Sequence, residues 1–259
     1  MQLRILGCGT STGVPVPACK CAICTSEKER NIRTRTSAVI SNNSGSSILI
    51  DTSTDFRVQA LRWKVPRVDA VCYTHYHSDH ILGLEDLRGY NYAQKSRIPV
   101  YGTKETITHL KKCFEYVFFP DPNYHGGGVA QVDAIEFEEL QPLQIVGIEL
   151  LPFPLKHGGI NVTGYRVGEM AYATDCNIIP SESLEVLKGV RYLVLDGLRY
   201  EPHPAHLTIP EAIEIAKTIG AERTILTHMT HTIDYDEVSA KLPSGVELAF
   251  DGMLLDFEG

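Results

Sequence analysis

The sequence lacks the features of a secreted or membrane protein. No apolar run approaches the ~20 residues that a membrane-spanning helix needs. The first segment, MQLRILGCG, has no basic stretch followed by a long apolar one, so we expect no signal peptide. Low-complexity segments, repeats of fixed period and Pro/Gly/Ser-rich linkers are also missing. We therefore expect a soluble, cytoplasmic protein that folds as one domain over residues 1–259.

Basic residues are scarce, with 24 Lys and Arg against 32 Asp and Glu and a net charge of −8. This balance argues against a large nucleic-acid surface, because phosphate backbones are bound by clustered Lys and Arg. It leaves room for a small phosphorylated substrate that metal ions could hold. The seven cysteines are an odd number without a secretory signal, so a disulfide framework is not expected.

The hydrophobic pattern indicates the fold class. A hydrophobic share of 43% with 22% charged residues is typical of a globular chain. Twelve strand-like segments and about six helical ones are too many strands for a doubly wound parallel sheet. Two sheets packed face to face, with helices outside, fit that order better. The stretch Pro120–Val132, with Pro-Asp-Pro and three consecutive glycines, predicts a long loop.

The densest group of candidate metal ligands is His75, His77, Asp79 and His80, directly after the apolar run Val68–Tyr73. Histidines at alternate positions of an extended segment point to the same side. A helix that starts at Asp79 can then turn the last two side chains back to the same place. Imidazole and carboxylate groups suit zinc, iron or manganese. The alternative is a solvated His-rich loop.

Three later strand-like runs also stop at a possible ligand, namely His157, Asp175 and His228. Each of these alone would be typical of a turn or a hydrogen-bonded core residue. Together with the first group they complete a two-metal site in which one carboxylate is free to bridge.

This series resembles that of the metallo-β-lactamase superfamily, which reads His-x-His-x-Asp-His and continues with a distant His, an Asp and a final His. The resemblance implies an α/β (α+β) fold, an αββα sandwich of two mixed β-sheets with helices on the outer faces and the site along one edge. By resemblance, one metal has the ligands His75, His77 and His157. The other has Asp79, His80 and His228, and Asp175 bridges the two.

Two more carboxylates, Asp51 and Asp196, close strand-like runs. By the same resemblance Asp51 orients a ligand, since a metal-bound histidine usually needs a hydrogen-bond acceptor. A role as helix N-cap or turn residue is equally open for both.

Cys19, Cys21 and Cys24 place three thiols within six residues, a spacing typical of zinc binding with one ligand missing. The predicted fourth ligand is His231, three residues after His228, which gives a closed, structural Cys3His zinc site. Three free cysteines are the alternative. We expect the remaining cysteines to be small core residues; they are Cys8, Cys72, Cys113 and Cys176.

The cysteine pattern narrows the resemblance. It is similar to that of the PhnP-type phosphodiesterases, which hydrolyse phosphoribosyl 1,2-cyclic phosphate, and to that of the pyrroloquinoline quinone biosynthesis B proteins. The latter generally lack an intact His-x-His-x-Asp-His, so the intact motif favours the phosphodiesterases. In those enzymes and in ribonuclease Z, a histidine just before a helix is a non-metal catalytic residue. His206 matches it, with Thr208 as the N-cap; His203 is the nearest competitor, and a surface-loop role is the alternative.

The resemblance implies a dinuclear metal-dependent phosphoric diester hydrolase. Two cations ~3.5–4 Å apart share a hydroxide, because together they lower the pKa of bound water to ~7. Asp79 accepts a hydrogen bond from this nucleophile. His206 either donates a proton to the departing oxygen, which suits an imidazole, or stabilises the crowded phosphorane. The expected substrate is a small, cyclic ribosyl phosphodiester, and the product is a phosphomonoester. The expected cofactors are two divalent ions (zinc, manganese or iron) and one structural zinc.

We expect no large nucleic acid and no membrane as partners, while a homodimer is open. Candidates for binding a distal phosphate are Arg33, Arg35, Arg88, Arg199 and Lys156. Ribonuclease Z-like RNA cleavage would need a basic protruding arm, but Pro120–Val132 has two Asp and no Lys or Arg. Hydrolysis of a thioester, lactone or β-lactam uses the same metal site without needing His206. A non-enzymatic accessory role is the last alternative.

Overall fold

The computed structural model describes residues 1–121 and 127–259, whose strands form two seven-stranded sheets. The strands of the first sheet are β1 (Gln2–Gly7), β2 (Ser37–Ser41), β3 (Ser47–Ile50), β4 (Ala70–Cys72), β5 (Ile98–Gly102), β6 (Val132–Glu136) and β14 (Leu254–Asp256). Those of the second are β7 (Leu143–Ile145), β8 (Ile148–His157), β9 (Ile160–Val167), β10 (Met170–Ala173), β11 (Tyr192–Asp196), β12 (Arg223–Thr227) and β13 (Val246–Leu248).

Both sheets are mixed. The first has the order β14-β1-β2-β3-β4-β5-β6, antiparallel as far as β3 and parallel from β3 to β6. The second has the order β13-β12-β11-β10-β9-β8-β7, parallel from β13 to β10 and antiparallel beyond. The helices are α1 (Phe56–Arg62), α2 (Ser78–Ile81), α3 (Leu87–Gln94), α4 (Lys104–Cys113), α5 (Glu115–Phe118), α6 (Ser181–Leu187), α7 (Ile209–Ile219) and α8 (Tyr235–Ser239).

Period-two alternation explains the layers. In β3, Ile48 and Ile50 belong to the core shared by the two sheets, whereas Leu49 packs with Phe56 of α1 on the outer face. Successive strand residues point to opposite faces, so a strand of buried residues contributes to both layers. Leu187 of α6 and the buried residues of α7 and α8 join the core on the side of the second sheet. The predicted αββα sandwich with outer helices is confirmed.

Some predicted elements differ from the observed ones. The apolar run Ile145–Leu151 predicts one continuous strand, but Val146 and Gly147 have φ of 46° and 79° and form a turn that divides this run between β7 and β8. The predicted loop Pro120–Val132 includes residues 122–126, which lie outside the described residues. Its last residue, Val132, begins β6. Within the two described ranges, no helix is both long and apolar enough to cross a membrane.

The carboxyl ends of several parallel strands lie at one edge of the sandwich. Thr74 follows β4, and its carbonyl accepts a hydrogen bond from the backbone N–H of Thr163 in β9, at 2.9 Å. Next to it, the Tyr165 hydroxyl donates to the Tyr73 carbonyl at 2.6 Å. These bonds join the two sheets at this edge, and the segments that follow β3, β4, β10, β11 and β12 meet there.

Candidate metal centre

The predicted ligands lie in two adjacent groups at this edge. His75 and His77 follow β4, with ring centroids 4.6 Å apart; His77 has extended backbone, and α2 then begins at Ser78. In each group, one ligand atom per residue lies within 4.8 Å of the others. The first group is His75, His77 and His157, and the second is Asp79, His80, Asp175 and His228. The structure therefore brings together all seven side chains that the family pattern predicted.

Asp175 lies between the two groups. Its Oδ2 is 3.2 Å from His80 Nε2, 3.3 Å from His228 Nε2 and 3.9 Å from His75 Nε2. Its side chain is buried, so water does not screen these contacts. A carboxylate in this place can share its oxygens between two cations, which is the bridging position expected from the sequence.

Three residues at this edge have left-handed backbone. Asp51, Asp175 and His228 have φ of 61°, 58° and 61°. For a non-glycine residue such a conformation costs roughly 1–3 kcal/mol and persists only where the surroundings hold it. Asp51 and His228 directly follow a strand, and Asp175 comes two residues after the end of β10, so the turn out of the sheet directs each side chain into the cluster. Three of the eight non-glycine residues with positive φ in the described ranges therefore lie where the candidate ligands converge.

Hydrogen bonds fix the orientation of the histidines. His80 Nδ1 donates to Asp51 Oδ2 at 2.7 Å, and Asp51 also accepts from the backbone N–H and the hydroxyl of Thr74, both at 2.8 Å. His157 Nδ1 donates to the Ala205 carbonyl at 2.8 Å. Since Nδ1 carries the proton in both rings, the lone pair is on Nε2. Of the two roles open for Asp51, the structure shows the orienting one, because Asp55 precedes α1.

The cluster fits cations rather than an internal hydrogen-bond network. Within the described residues, the buried Nε2 atoms of His75, His80 and His228 have no hydrogen-bond partner. Buried polar atoms without partners are costly, and a divalent ion would satisfy all three nitrogens together with the carboxylates beside them. Nitrogen and oxygen ligands of this kind bind zinc, manganese or iron.

The charges of the cluster act on each other strongly. Burial alone would lower the pKa of His80, but Asp175, Asp79 and Asp51 raise it well above its ordinary value. Burial would raise the pKa of Asp79, but His80 and His228 hold it well below its ordinary value. Three carboxylates among histidines therefore give a strongly negative potential that attracts cations.

His206 lies against both ligand groups. Its ring centroid is 4.4 Å from that of His157 and 4.7 Å from that of His228. Its Nδ1 donates to Asp196 Oδ2 at 2.6 Å, and the same carboxylate oxygen accepts the backbone N–H of Cys176 at 2.8 Å. Asp196 is therefore an orienting acceptor, and Nε2 of His206 is the nitrogen left for chemistry.

The segment around His206 is held by the following helix. Thr208 caps α7 in a capping box with Glu211, as its sequence position predicted. His203 is less buried than His206, and the centroids of the two rings are 5.0 Å apart. Of the two histidines that competed for the non-metal role, the structure places His206 in contact with the ligand groups.

The cysteine segment and His231 meet as a second cluster. His231 Nδ1 is 3.3, 3.5 and 3.4 Å from the Sγ atoms of Cys19, Cys21 and Cys24. The backbone N–H of Cys24 lowers the pKa of the Cys21 thiol to about 6, so this thiol is largely thiolate at neutral pH. Three thiols and one imidazole that converge in this way fit the closed zinc site that the spacing predicted.

Two expectations from the sequence are wrong. Arg33 was a candidate for a distal phosphate, but it is buried and its guanidinium donates to the carbonyls of Thr230 and Ile233, at 3.2 and 2.7 Å. It therefore holds the loop that carries His231. Cys113 was expected in the core, but the last turn of α4 leaves it exposed, whereas the other three non-cluster cysteines are buried.

Asn177 was missed by the sequence analysis. Its Oδ1 accepts the backbone N–H of Gly158, and its Nδ2 donates to the Pro204 carbonyl, both at 3.0 Å. It thereby ties the turn after His157 to the loop before His206. No local sequence pattern indicates this role, because the three segments meet only in the folded sheet. The single signal in the sequence is that Asn177 lies two residues after Asp175.

Replacement of Asp51 by asparagine is expected to lower metal affinity and activity about 10- to 100-fold, because the amide cannot hold the His80 Nδ1 proton as a carboxylate does. Metal affinity is measured by competition with a chromogenic chelator. Asp133→Asn is the control, since Asp133 is exposed and pairs with Arg97 away from this edge. Unchanged affinity in Asp51→Asn would show that the carboxylate does not orient a ligand.

Cys21→Ser should lose one zinc per chain and lower the melting temperature by roughly 5 °C or more. Chemistry at the seven-ligand cluster should survive in the folded fraction, because Arg33 still holds the loop around His231. Zinc is counted by mass spectrometry, with the exposed Cys113→Ser as the matched control. Full zinc content in Cys21→Ser would refute the Cys3His assignment.

Similarity to known proteins agrees with the fold. Residues 46–229 match the family model described as the β-lactamase superfamily domain. The crystal structure of a new diphosphatase from the PhnP family is 39% identical to this chain and has a TM-score of 0.91; the match covers 99% of this chain and 98% of that one. The resemblance inferred from the ligand series is thereby confirmed.

Two curated relatives share less of their own length. An octanoyltransferase of Porphyromonas gingivalis is 37% identical over 263 residues, which include 100% of this chain and 52% of the relative. The chain thus spans about half the length of that protein. A ribonuclease Z of Clostridium kluyveri is 34% identical over 89 residues, which are 34% of this chain and 24% of the relative.

Proposed function

The chain belongs to the β-lactamase superfamily and, within it, to the PhnP family, and we propose that it is a metal-dependent phosphodiesterase that hydrolyses a small cyclic ribosyl phosphodiester to a phosphomonoester. The observation that carries this proposal is His206, held by Asp196 beside the seven-ligand cluster. A phosphodiester expels an alkoxide, which is a poor leaving group and needs a proton. A thioester expels a thiolate, which needs none.

The residues of the cluster suit this chemistry. Two divalent ions, held by the two groups and bridged by Asp175, would supply charge stabilisation at the phosphoryl oxygens and a lowered pKa for water. Asp79 stays ionised and can accept a hydrogen bond from the attacking water. The charge of these two ions would also allow a chain of net charge −8 to bind an anionic substrate.

His206 acts on the opposite side of the phosphorus in this proposal. Asp196 holds the Nδ1 proton, so the proton delivered to the departing oxygen is the one on Nε2 of the protonated ring. His206 is thus the general acid, and Asp196 positions it.

A diphosphate diester is the second candidate substrate, because the PhnP-family relative is described as a diphosphatase. Hydrolysis of a diphosphate expels a phosphate, which needs little protonation. The two substrates are therefore distinguished by their dependence on His206.

Rates with a substrate panel test the proposal. The protein, loaded with Mn²⁺ or Zn²⁺, is assayed with ribose 1,2-cyclic phosphate, bis-p-nitrophenyl phosphate, a nucleoside diphosphate sugar and an octanoyl thioester. We expect turnover of the first two above the buffer rate. Cleavage of the thioester alone would contradict the proposal, and cleavage of the diphosphate alone would favour the second candidate.

A further inference from the structure

Asp251 is a buried carboxylate that belongs to neither ligand group and that the hydrolytic mechanism does not use. It is 8% exposed and lies in the segment between β13 and β14. The backbone N–H and the thiol of Cys8 donate to its Oδ1, at 3.0 and 3.3 Å. The backbone N–H and the hydroxyl of Thr34 donate to its Oδ2, at 2.8 and 2.6 Å. This one carboxylate therefore accepts four hydrogen bonds from two segments that are distant in the sequence.

The carboxylate is not needed to hold its own segment. The backbone already does so, because Gly252 N–H donates to the Ile5 carbonyl at 2.7 Å and β14 pairs with β1. The bonds of the Asp251 side chain instead go to Cys8, directly after β1, and to Thr34, three residues before β2. Asp251 thus fixes these two segments.

The segment after β1 in turn holds Met229, the residue that follows the ligand His228. Met229 N–H donates to the Cys8 carbonyl at 3.0 Å, and the Met229 carbonyl accepts the N–H of Thr10 at 3.1 Å. Both backbone groups of Met229 are therefore bound to one short segment. The place of that segment is set at Cys8 by Asp251.

The middle of this segment is packed closely against the chain before β2. Gly9 N–H donates to the Thr34 carbonyl at 2.8 Å. A Cβ atom at Gly9 would lie 2.8 Å from the Arg33 carbonyl oxygen, which is too close for any residue other than glycine. Since Asp251 also binds the backbone N–H of Thr34, the same carboxylate fixes both partners of this contact.

His228 depends on such support because its φ of 61° is strained for a residue with a side chain. A conformation of this kind persists only where the surroundings hold it. On one side of His228, the Thr227 carbonyl accepts the N–H of Gly197 at 3.0 Å, next to the pairing of β11 with β12. On the other side, the support is the pairing of Met229. Release of Met229 would let the backbone of His228 relax and turn its ring away from Asp175.

From these contacts we infer that Asp251 is a positioning residue of the metal centre, which acts on His228 through Cys8 and the backbone of Met229. The inference rests on the metal centre of the proposed function and is independent of the choice of substrate. It assigns a role in metal binding to a carboxylate outside the seven ligands.

An asparagine at position 251 would keep the size of the side chain and disrupt the hydrogen bonds. Whichever way the amide is turned, its NH2 group faces the backbone N–H of either Cys8 or Thr34. Two donors cannot bond to each other, and a buried N–H without a partner is costly. One of the two segments must then shift, and the support of Met229 is weakened.

The metal affinity of Asp251→Asn tests this inference without an assay of activity. Affinity of the seven-ligand cluster for Zn²⁺ or Mn²⁺ is measured by competition with a chromogenic chelator, in protein that retains the structural zinc. It should fall about tenfold or more, as for other residues that orient metal ligands. The melting temperature is measured on the same samples.

Asn91→Asp is the matched control, because it makes the reverse exchange in another buried bridge. Asn91 is 6% exposed; its Nδ2 donates to the carbonyls of Ser96 and Gln131, both at 2.9 Å, and its Oδ1 accepts the N–H of Gln131 at 2.8 Å. This bridge lies at the amino ends of β5 and β6, on the opposite edge of the sheet from the metal centre. The control should lower the melting temperature and leave metal affinity unchanged.

Thr34 offers a second pair of variants that leaves the backbone bonds of Asp251 intact. Thr34→Val keeps the shape of the side chain but removes the hydroxyl that donates to Asp251 Oδ2, so it should lower metal affinity about threefold. Thr34→Ser keeps the hydroxyl and should bind metal like the wild type. If Asp251→Asn does not fold, this pair decides, and equal affinity in the two variants overturns the inference.

Two further outcomes would overturn the positioning role. One is wild-type metal affinity in Asp251→Asn, even if the protein turns over a cyclic phosphate, in which case the proposed function stands alone. The other is an equal loss of affinity in Asp251→Asn and Asn91→Asp, because reduced stability would then explain both. If the wild type turns over no cyclic phosphate but only Asp251→Asn loses affinity, the phosphodiesterase proposal fails and the positioning role stands.

Discussion

Replacing Asp175 by asparagine is expected to lower kcat/KM for bis-p-nitrophenyl phosphate by at least about 1,000-fold, since metal ions contribute several kcal/mol to transition-state stabilisation. Oδ2 of Asp175 is within 3.2–3.9 Å of the Nε2 atoms of His80, His228 and His75, so this one carboxylate serves both ligand groups. An amide keeps the size of the side chain but loses the negative charge that holds two cations together.

The same variant should bind fewer than two metals at the cluster while it keeps the structural zinc. Metal content by mass spectrometry, measured beside the rate, gives the number of ions lost per chain. Asp236→Asn is the control, since Asp236 is exposed and pairs with Lys28. Full metal content together with wild-type activity would mean that Asp175 does not bridge.

His206→Ala is expected to slow hydrolysis of ribose 1,2-cyclic phosphate about 100- to 10,000-fold, the usual range for general acid–base catalysis. Its two metals should stay bound, because the two ligand groups are complete without His206. The loss should be much smaller with bis-p-nitrophenyl phosphate, since p-nitrophenolate leaves without protonation. Asp196→Asn should show the same dependence on the leaving group to a lesser degree.

A metal count after dialysis distinguishes the two roles of His206. Because one ligand atom of His206 lies within 4.8 Å of those of His157 and Asp175, a role as metal ligand is the competing explanation. Loss of a metal in His206→Ala, with equal rate losses for both leaving groups, would make it a ligand instead of the acid.

The ligand residues of the site could be predicted from the sequence because each of them stands where a strand stops. An apolar run ends at or shortly before four of the ligands, namely His75, His157, Asp175 and His228. This local signal can be recognised without knowledge of the sheets. Their convergence depends on the edge where the two sheets meet, which the family resemblance supplied. Thr208 was likewise predictable, since its capping box with Glu211 is local in sequence.

Contacts between distant segments could not be predicted. Asn177 bonds to two backbone groups in other loops, and the Ala205 carbonyl that orients His157 has no side-chain signal at all. Arg33 looked like a free cation, because no sequence pattern shows that carbonyls nearly 200 residues away bury it. Two elements are likewise weakly marked in the local sequence: β14 has three residues and depends on pairing with β1, and α3 contains a glycine and few buried residues.

Product analysis by ³¹P NMR in water enriched with ¹⁸O tests the central claim most directly. The metal-loaded protein is incubated with ribose 1,2-cyclic phosphate, and the reaction is compared with the same protein after removal of metals by a chelator. The account predicts a phosphomonoester that carries one ¹⁸O, formed only by the metal-loaded protein. An unchanged cyclic phosphate, with cleavage of an octanoyl thioester by the same preparation, would contradict it.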